Sequence, residues 1–524
     1  MSPCDRGAIL SGAAAAPCTA AARRWTLVAA ILGSSMAFVD GTVVNVALPA
    51  VQRDLHASAS EAQWVVESYA LFLAALLLVG GALGDRFGRR RIFTLGVAIF
   101  TAASAACALA GTVDALIAAR AVQGIGAALL VPGSLALISA AFPEAERGRA
   151  IGTWSAFSGI TAAIGPVVGG FLIDHYSWTA AFLVNLPLGA ALLAMCAFKV
   201  PESRGAAAEG RLDIAGALLV TLGLVGVVFA FIEAPVRGWA SGAVVTALVC
   251  GIGGLAAFVW TEAHTAAPML SLALFRSRNF SGANLLTLLL YAALGGGLYF
   301  FPLDLIQVQG WSATAAGAAL LPFVAIMFLL SRWAGQLIDT FGPKLPLVVG
   351  PLLAGVGFAL FALPSLGASY WSGFLPAVCV LGLGMAITVA PLTTTVMNSV
   401  GADLAGVASG VNNAVSRAAG LLAVAVFGLV MARAFDAELG AQLARVNAPA
   451  PLVAALEAQR GRLAAMVLPA GLDAATAAAA KQAIGHAFVA GFRWVMGLCA
   501  GLSLLSAVSA WWLIDKAAPA RSTP

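Results

Sequence analysis

The chain has 524 residues, 61% of them hydrophobic and 10% charged, with a formal net charge of +5, and its mean hydropathy is +0.96. A soluble globular protein of this length needs far more polar surface, so the composition excludes that class and predicts an all-α polytopic membrane protein. The small positive balance sits in short loops, where membrane topology accounts for it, and implies no nucleic-acid role.

Residues 1–24 read as an uncleaved cytoplasmic tail, because Arg23 and Arg24 stand directly before the first long apolar run. Runs of about 20 apolar residues, the length a helix needs to cross a bilayer, then recur about fourteen times. Six of them, at 25–49, 61–83, 92–111, 115–142, 149–173 and 178–199, predict a first six-helix bundle over 25–199. A polar stretch at 200–212 opens a linker over 200–278, which carries two additional spans at 213–233 and 241–262. A second six-helix bundle over 279–514 has spans at 279–301, 313–336, 345–363, 373–396, 404–433 and 484–514, and residues 515–524 form a cytoplasmic tail. Its long periplasmic or extracellular loop, 434–483, is rich in Ala but broken by Pro449, Pro451 and Pro469. That predicts short surface helices, with docking of a partner as the functional alternative.

Orientation follows from the cationic loops. Residues 86–91, Arg147 and Arg149, Arg204 and Arg211, Arg276 and Arg278, and Lys344 all fall on one side, which predicts a cytoplasmic face shared by both termini. The setting is a multi-pass protein of a bacterial-type cytoplasmic (inner) membrane.

The turn between the second and third spans is the densest polar motif. Gly81, Asp85, Arg86, Gly88, Arg89 and Arg90 lie in one short hairpin, where Asp85 can pair with Arg89 or Arg90 or face the N-terminus of a neighbouring helix. The pattern returns at a constant offset as Gly335, Asp339, Gly342 and Lys344, and Gly124 and Gly126 return as Gly382 and Gly384. Two blocks with nearly equal offsets predict duplicated halves, each with a latch at this face. The second latch is the weaker one, with Thr340 and Pro343 where the first has Arg86 and Arg89.

An ionisable side chain at the centre of a span costs about 2.5–3.5 kcal/mol on insertion scales, so each needs a reason. Asp40, Glu67, Arg120 and Arg417 are the four that stand out. For Asp40 the alternatives are a structural ion pair with Arg120 and a proton-titrating carboxylate. Glu67 is either a charge partner for a cationic substrate, a member of a proton-coupling set with Asp40 and Arg120, or a group near the span end that reaches water. Glu67, Tyr69, Trp154, Asn185, Tyr291, Gln307, Asn412 and Arg417 are the candidates for lining a substrate cavity. Gly159, Gly165, Pro166, Gly169 and Gly170 give the fifth span a small-residue face suited to close packing or gating.

Other chemistry has little support. The four histidines are far apart, and Cys107, Cys196, Cys250, Cys379 and Cys499 sit in apolar runs without metal-ligand spacing. No phosphate-cradling Gly-rich loop ending in Lys is present, so the sequence implies no cofactor, no metal, no enzyme activity and an ion gradient as the energy source.

At these residues the sequence resembles the major facilitator superfamily, specifically its fourteen-span drug:proton antiporters of the EmrB/QacA type. Residues 40–49 are similar to the family's first-span motif and 81–91 to its loop motif. Arg120 with Gln123, Gly124 and Gly126 resembles the fourth-span motif associated with proton coupling, and the glycines around Pro166 resemble the fifth-span antiporter motif. The resemblance implies a major facilitator fold, alternating access, and export of a lipophilic and in some relatives cationic small molecule against protons. It leaves open a periplasmic adaptor. A proton-coupled symporter, a dedicated metabolite exporter and a non-transporting scaffold or receptor are the competing readings.

Overall fold

The computed structural model describes residues 19–204, 213–265, 268, 270, 272–400 and 405–515. Most of the tails expected at 1–24 and 515–524, and most of the polar stretch expected at 200–212, lie outside the described residues. Among those described the chain is helical, without strands. In order the long helices are α1 Ala20–Asp54, α2 Ala59–Phe87, α3 Arg89–Ala108, α4 Val113–Ala141, α5 Glu144–His175, α6 Ala180–Phe198, α7 Ile214–Arg237, α8 Gly242–His264 and α9 Arg278–Leu303. They continue as α10, in two pieces Ala313–Ala318 and Leu321–Phe341, then α11 Lys344–Phe361, α12 Leu375–Asn398, α13 Ala405–Arg445, the short α14 Ala450–Glu457 and α15 Ala474–Leu513. Thirteen helices among the described residues are long and apolar enough to cross a membrane. α5 spans 32 residues and carries Pro166 in its interior.

By contacts the chain divides into two units. The first draws on 1–47, 65–224 and 253–269, and the second on 48–64, 225–252 and 270–524. The second unit therefore contains the ends of α1 and α2 nearest their connection, together with α9 to α15.

Within the first unit α3 packs along α4 and against α6. Lipid tails give no hydrophobic drive for this, so the approach rests on small residues that let backbones meet. A Cβ on Gly126 would sit 2.6 Å from Phe100 N, and one on Gly124 would lie 3.1 Å from the Tyr69 Cα. The second unit repeats the arrangement: a Cβ on Gly384 would lie 3.0 Å from the Ala354 Cα, and one on Gly382 3.1 Å from the Phe323 Cα. The partners are related by the same near-constant offset as the glycines, so the duplication read from the sequence extends to three-dimensional neighbours. Helices α7 and α8 expose Leu218, Leu222, Val249 and Trp260, surfaces suited to lipid.

The loop expected at 434–483 is more helical than its prolines suggested. α13 continues to Arg445 and α15 begins at Ala474, because the Ala-rich flanks favour helix until Pro449 and Asp473, whose side chain accepts from the Thr476 N–H, set the ends.

Candidate functional site

Asp40 is the centre of a closed polar cluster built by five helices of the first unit. It is 2% exposed, and Arg120 is fully buried. Arg120 Nη1 on α4 forms the ion pair with Asp40 Oδ2. The same nitrogen donates to Gln123 Oε1 at 2.6 Å, and Nε donates to the Val65 carbonyl of α2 at 3.0 Å. The other carboxylate oxygen, Oδ1, accepts from Gln123 Nε2 at 2.8 Å and from Asn185 Nδ2 of α6 at 3.2 Å. Both amides also donate to Ser104 Oγ of α3. The guanidinium lies 4.3 Å from the Tyr69 ring centroid and 5.8 Å from that of Phe182, and the Tyr69 hydroxyl donates to the Ala37 carbonyl at 3.0 Å. A buried pair this fully satisfied is neither a surface salt bridge nor a bare charge: each oxygen of Asp40 has a named donor, and any rearrangement must exchange donors.

The small-residue face of α5 lies against α1 beside this cluster. A Cβ on Gly165 would meet Thr42 and lie 3.3 Å from the Val39 Cα, and one on Gly169 would lie 2.6 Å from Val43 Cγ1. Gly170 is buried and Pro166 half-buried, and α5 runs through Pro166 as a continuous helix. The side-chain environment of Gly159 lies outside the described residues.

Among the described residues Glu67 on α2 makes no hydrogen bond to the Asp40 network. It is 1% exposed, and its Oε2 is buried without a hydrogen-bond partner. The water-reaching alternative for Glu67 is therefore not what the fold presents.

The remaining cavity candidates divide between the units. Tyr69 and Asn185 are committed to the Asp40 cluster, and Trp154 donates to Ser34 Oγ at 2.9 Å. In the second unit Asn412 donates to Thr287 Oγ1 at 2.7 Å and Asn284 Oδ1 at 3.2 Å. Gln307 donates to Gln52 Oε1 at 2.8 Å, while Tyr291 and Arg417 are half-buried on α9 and α13.

At the cationic turn, Asp85 pairs with Arg89 at 2.7 Å, and Arg89 Nη1 donates to the Ala136 carbonyl at 3.3 Å. Arg86 is exposed, its guanidinium 5.5 Å from the Phe87 ring, and a Cβ added at Gly81 would meet the Pro132 Cβ at an ordinary 3.7 Å. Sequence reasoning missed Glu202. Its carboxylate accepts from the backbone N–H groups of Arg90 and Arg91 at 3.0 and 3.2 Å, capping the start of α3 where the helix dipole favours an anion. Gly88 has φ 116°, and Gly342, its counterpart in the repeat, has φ 70°. Asp339 is helical in backbone, but its side chain lies outside the described residues. Replacing Gly88 with Ala is expected to destabilise the protein by about 1–2 kcal/mol, since the backbone is left-handed and the new Cβ would lie 2.9 Å from the Glu202 carboxyl carbon. A thermal-unfolding midpoint equal to wild type would refute that strain.

The family model of the Major Facilitator Superfamily matches residues 30–424. The chain belongs to that superfamily. Its members are transporters rather than enzymes. The chain is 34% identical over 507 residues, 96% of its own length and 94% of the relative's, to the tetracenomycin C resistance and export protein of Streptomyces glaucescens. It is 37% identical over 421 residues to the multidrug resistance protein Stp of Mycobacterium tuberculosis, covering 80% of this chain and 78% of that one. Among solved structures, a bacterial homologue of the human lysosomal transporter Spinster aligns with a TM-score of 0.63 at 18% identity, over 96% of this chain and all of that one, a likeness of fold.

Proposed function

We propose that the protein exports lipophilic small molecules, antibiotics among them, across the bacterial cell membrane in exchange for protons. It crosses the membrane fourteen times, with both termini and the Arg-rich turns in the cytoplasm. The observation that carries this reading is the Asp40–Arg120 pair held by Gln123 and Asn185 inside a superfamily fold. A carboxylate that can trade an arginine for a proton is the minimum device for coupling, and resistance and export relatives covering most of the chain support the outward direction.

In this cycle Asp40 takes a proton from the outer side as Arg120 moves onto its other acceptors, Val65 O and Gln123 Oε1. Asp85, Arg89 and Glu202 hold the cytoplasmic turn closed while the outer side is open. Glu67, buried with a bare oxygen, attracts cationic substrates, and Trp154, Tyr291, Asn412 and Arg417 belong to the substrate path. The drive is sufficient: each charge moved across 100 mV contributes about 2.3 kcal/mol, and each pH unit about 1.4 kcal/mol.

Glu67→Gln is expected to weaken export of a lipophilic cation by about tenfold, the equivalent of ~1.4 kcal/mol of charge pairing, while sparing a neutral compound. Efflux of one cationic and one neutral compound from the same cells checks this, and an equal loss for both would move Glu67 from substrate recognition to coupling or folding. The function itself is tested by loading cells with ethidium and adding a protonophore. Efflux should stop when the proton gradient collapses at constant ATP, and efflux that continues would overturn the reading.

A further inference from the structure

Asp304 takes no part in the cycle above, and it too is a buried carboxylate. It is the first residue of the π-turn Asp304–Val308 that continues α9, a geometry often found at functional sites. Asp304 is 1% exposed, and its Oδ1 is buried without a hydrogen-bond partner. Among the described residues Oδ2 accepts only from Gln309 Nε2 at 3.4 Å, and that amide also reaches the Ser365 carbonyl at 3.4 Å while its Oε1 accepts from the Gly367 N–H.

The elements against the turn do carry charges: Arg460 and Arg462 on the 3-10 turn Arg460–Ala465, Lys481, His486 and Arg493 on α15, the last bonded to the Pro364 carbonyl, and Arg53, Asp54, His56 and Glu61 around the α1–α2 connection. Among the described residues none of them forms an ion pair or hydrogen bond with Asp304, whose side-chain partner is Gln309. Arg462 is instead bonded to the His56 carbonyl. An ionised carboxylate held this way costs several kcal/mol without a counter-charge. Among the described residues no group of three His, Cys, Asp or Glu stands ready to hold a metal. The cation that needs no coordination shell is a proton.

We propose that Asp304 is a second proton-binding carboxyl. It is loaded while the π-turn is packed as in this structure, and emptied when the Gln307–Gln52 bond, one turn further on, parts and water reaches Oδ1. Its role in transport rests on the proton-exchange reading, but the binding of a proton stands apart from it.

The test uses N,N′-dicyclohexylcarbodiimide on the purified full chain. The acid proton passes to a carbodiimide nitrogen, the carboxyl oxygen bonds to the central carbon, and rearrangement leaves a stable N-acylurea with no leaving group. Mass spectrometry should find the adduct on Asp304 at pH 6, falling about tenfold or more by pH 9, in wild type and in Asp40→Asn, and absent from Asp304→Asn. No adduct on Asp304, or the same amount at both pH values, would overturn the proposal. In proteoliposomes Asp304→Asn should lower the steady substrate gradient about fiftyfold per 100 mV, the loss of one charge moved, while downhill exchange continues and Asp304→Glu retains the gradient. An unchanged gradient in Asp304→Asn would also overturn it. A pH-dependent adduct in protein that performs no antiport would uphold Asp304 and overturn the exporter reading instead.

Discussion

Asp40→Asn is expected to lower the substrate gradient the protein sustains about fiftyfold per 100 mV while leaving a folded protein in the membrane. The substitution keeps the shape of the side chain, and its carbonyl oxygen can still accept from Gln123 and Asn185, the donors now on Oδ1. What is lost is the charge opposite Arg120, whose guanidinium retains the Val65 and Gln123 acceptors. Losing one exchanged proton removes about 2.3 kcal/mol of drive per 100 mV, so the gradient the protein sustains should fall about fiftyfold. Membrane abundance within a factor of about two of wild type separates loss of coupling from loss of fold. Wild-type gradients from Asp40→Asn would make the carboxylate structural.

Arg120→Ala should do more damage than Arg120→Lys. Removing one member of a buried ion pair costs about 3–5 kcal/mol, because the other charge stays buried and uncompensated. The alanine variant also empties the space between the Tyr69 and Phe182 rings and leaves the Val65 carbonyl without its donor. Lysine keeps a cation, yet its single ammonium lacks the fork that reaches Asp40, Gln123 and Val65 together. The expected order is therefore wild type, then lysine with partial export and a modestly lower thermal midpoint, then alanine with no coupled export and the lowest midpoint. Equal export by all three would remove Arg120 from the mechanism, and equal midpoints would contradict the burial of the pair.

The parts of this arrangement that could be read from the sequence are those where a single residue is costly in its setting. Asp40, Glu67 and Arg120 stood out because each is a charged residue set inside an apolar run, and Gly88 and Gly342 because their spacing repeats; the fold gives both glycines positive φ. Glu202 was hidden because it lies in a polar stretch with no periodicity, and only the folded chain brings its carboxylate onto the start of α3. Asn185 looked like a cavity residue because a lone amide in an apolar run has no visible partner in one dimension; its partner is Asp40, on another helix. Asp304 was missed for a different reason. The ninth span was expected to end at 301, before Pro302, but the helix carries Pro302 and extends through a π-turn to Val308. A proline near a helix end costs one backbone bond rather than the whole helix when the following turn re-satisfies the carbonyls.

Proton-for-substrate exchange is tested most directly in everted membrane vesicles energised to an acid interior, with a pH-sensitive dye in the lumen and ethidium added outside. Ethidium should enter wild-type vesicles and the lumen should turn alkaline as it does so, with both changes sharply reduced in Asp40→Asn vesicles. Ethidium uptake accompanied by no change in luminal pH, or by further acidification, would contradict it.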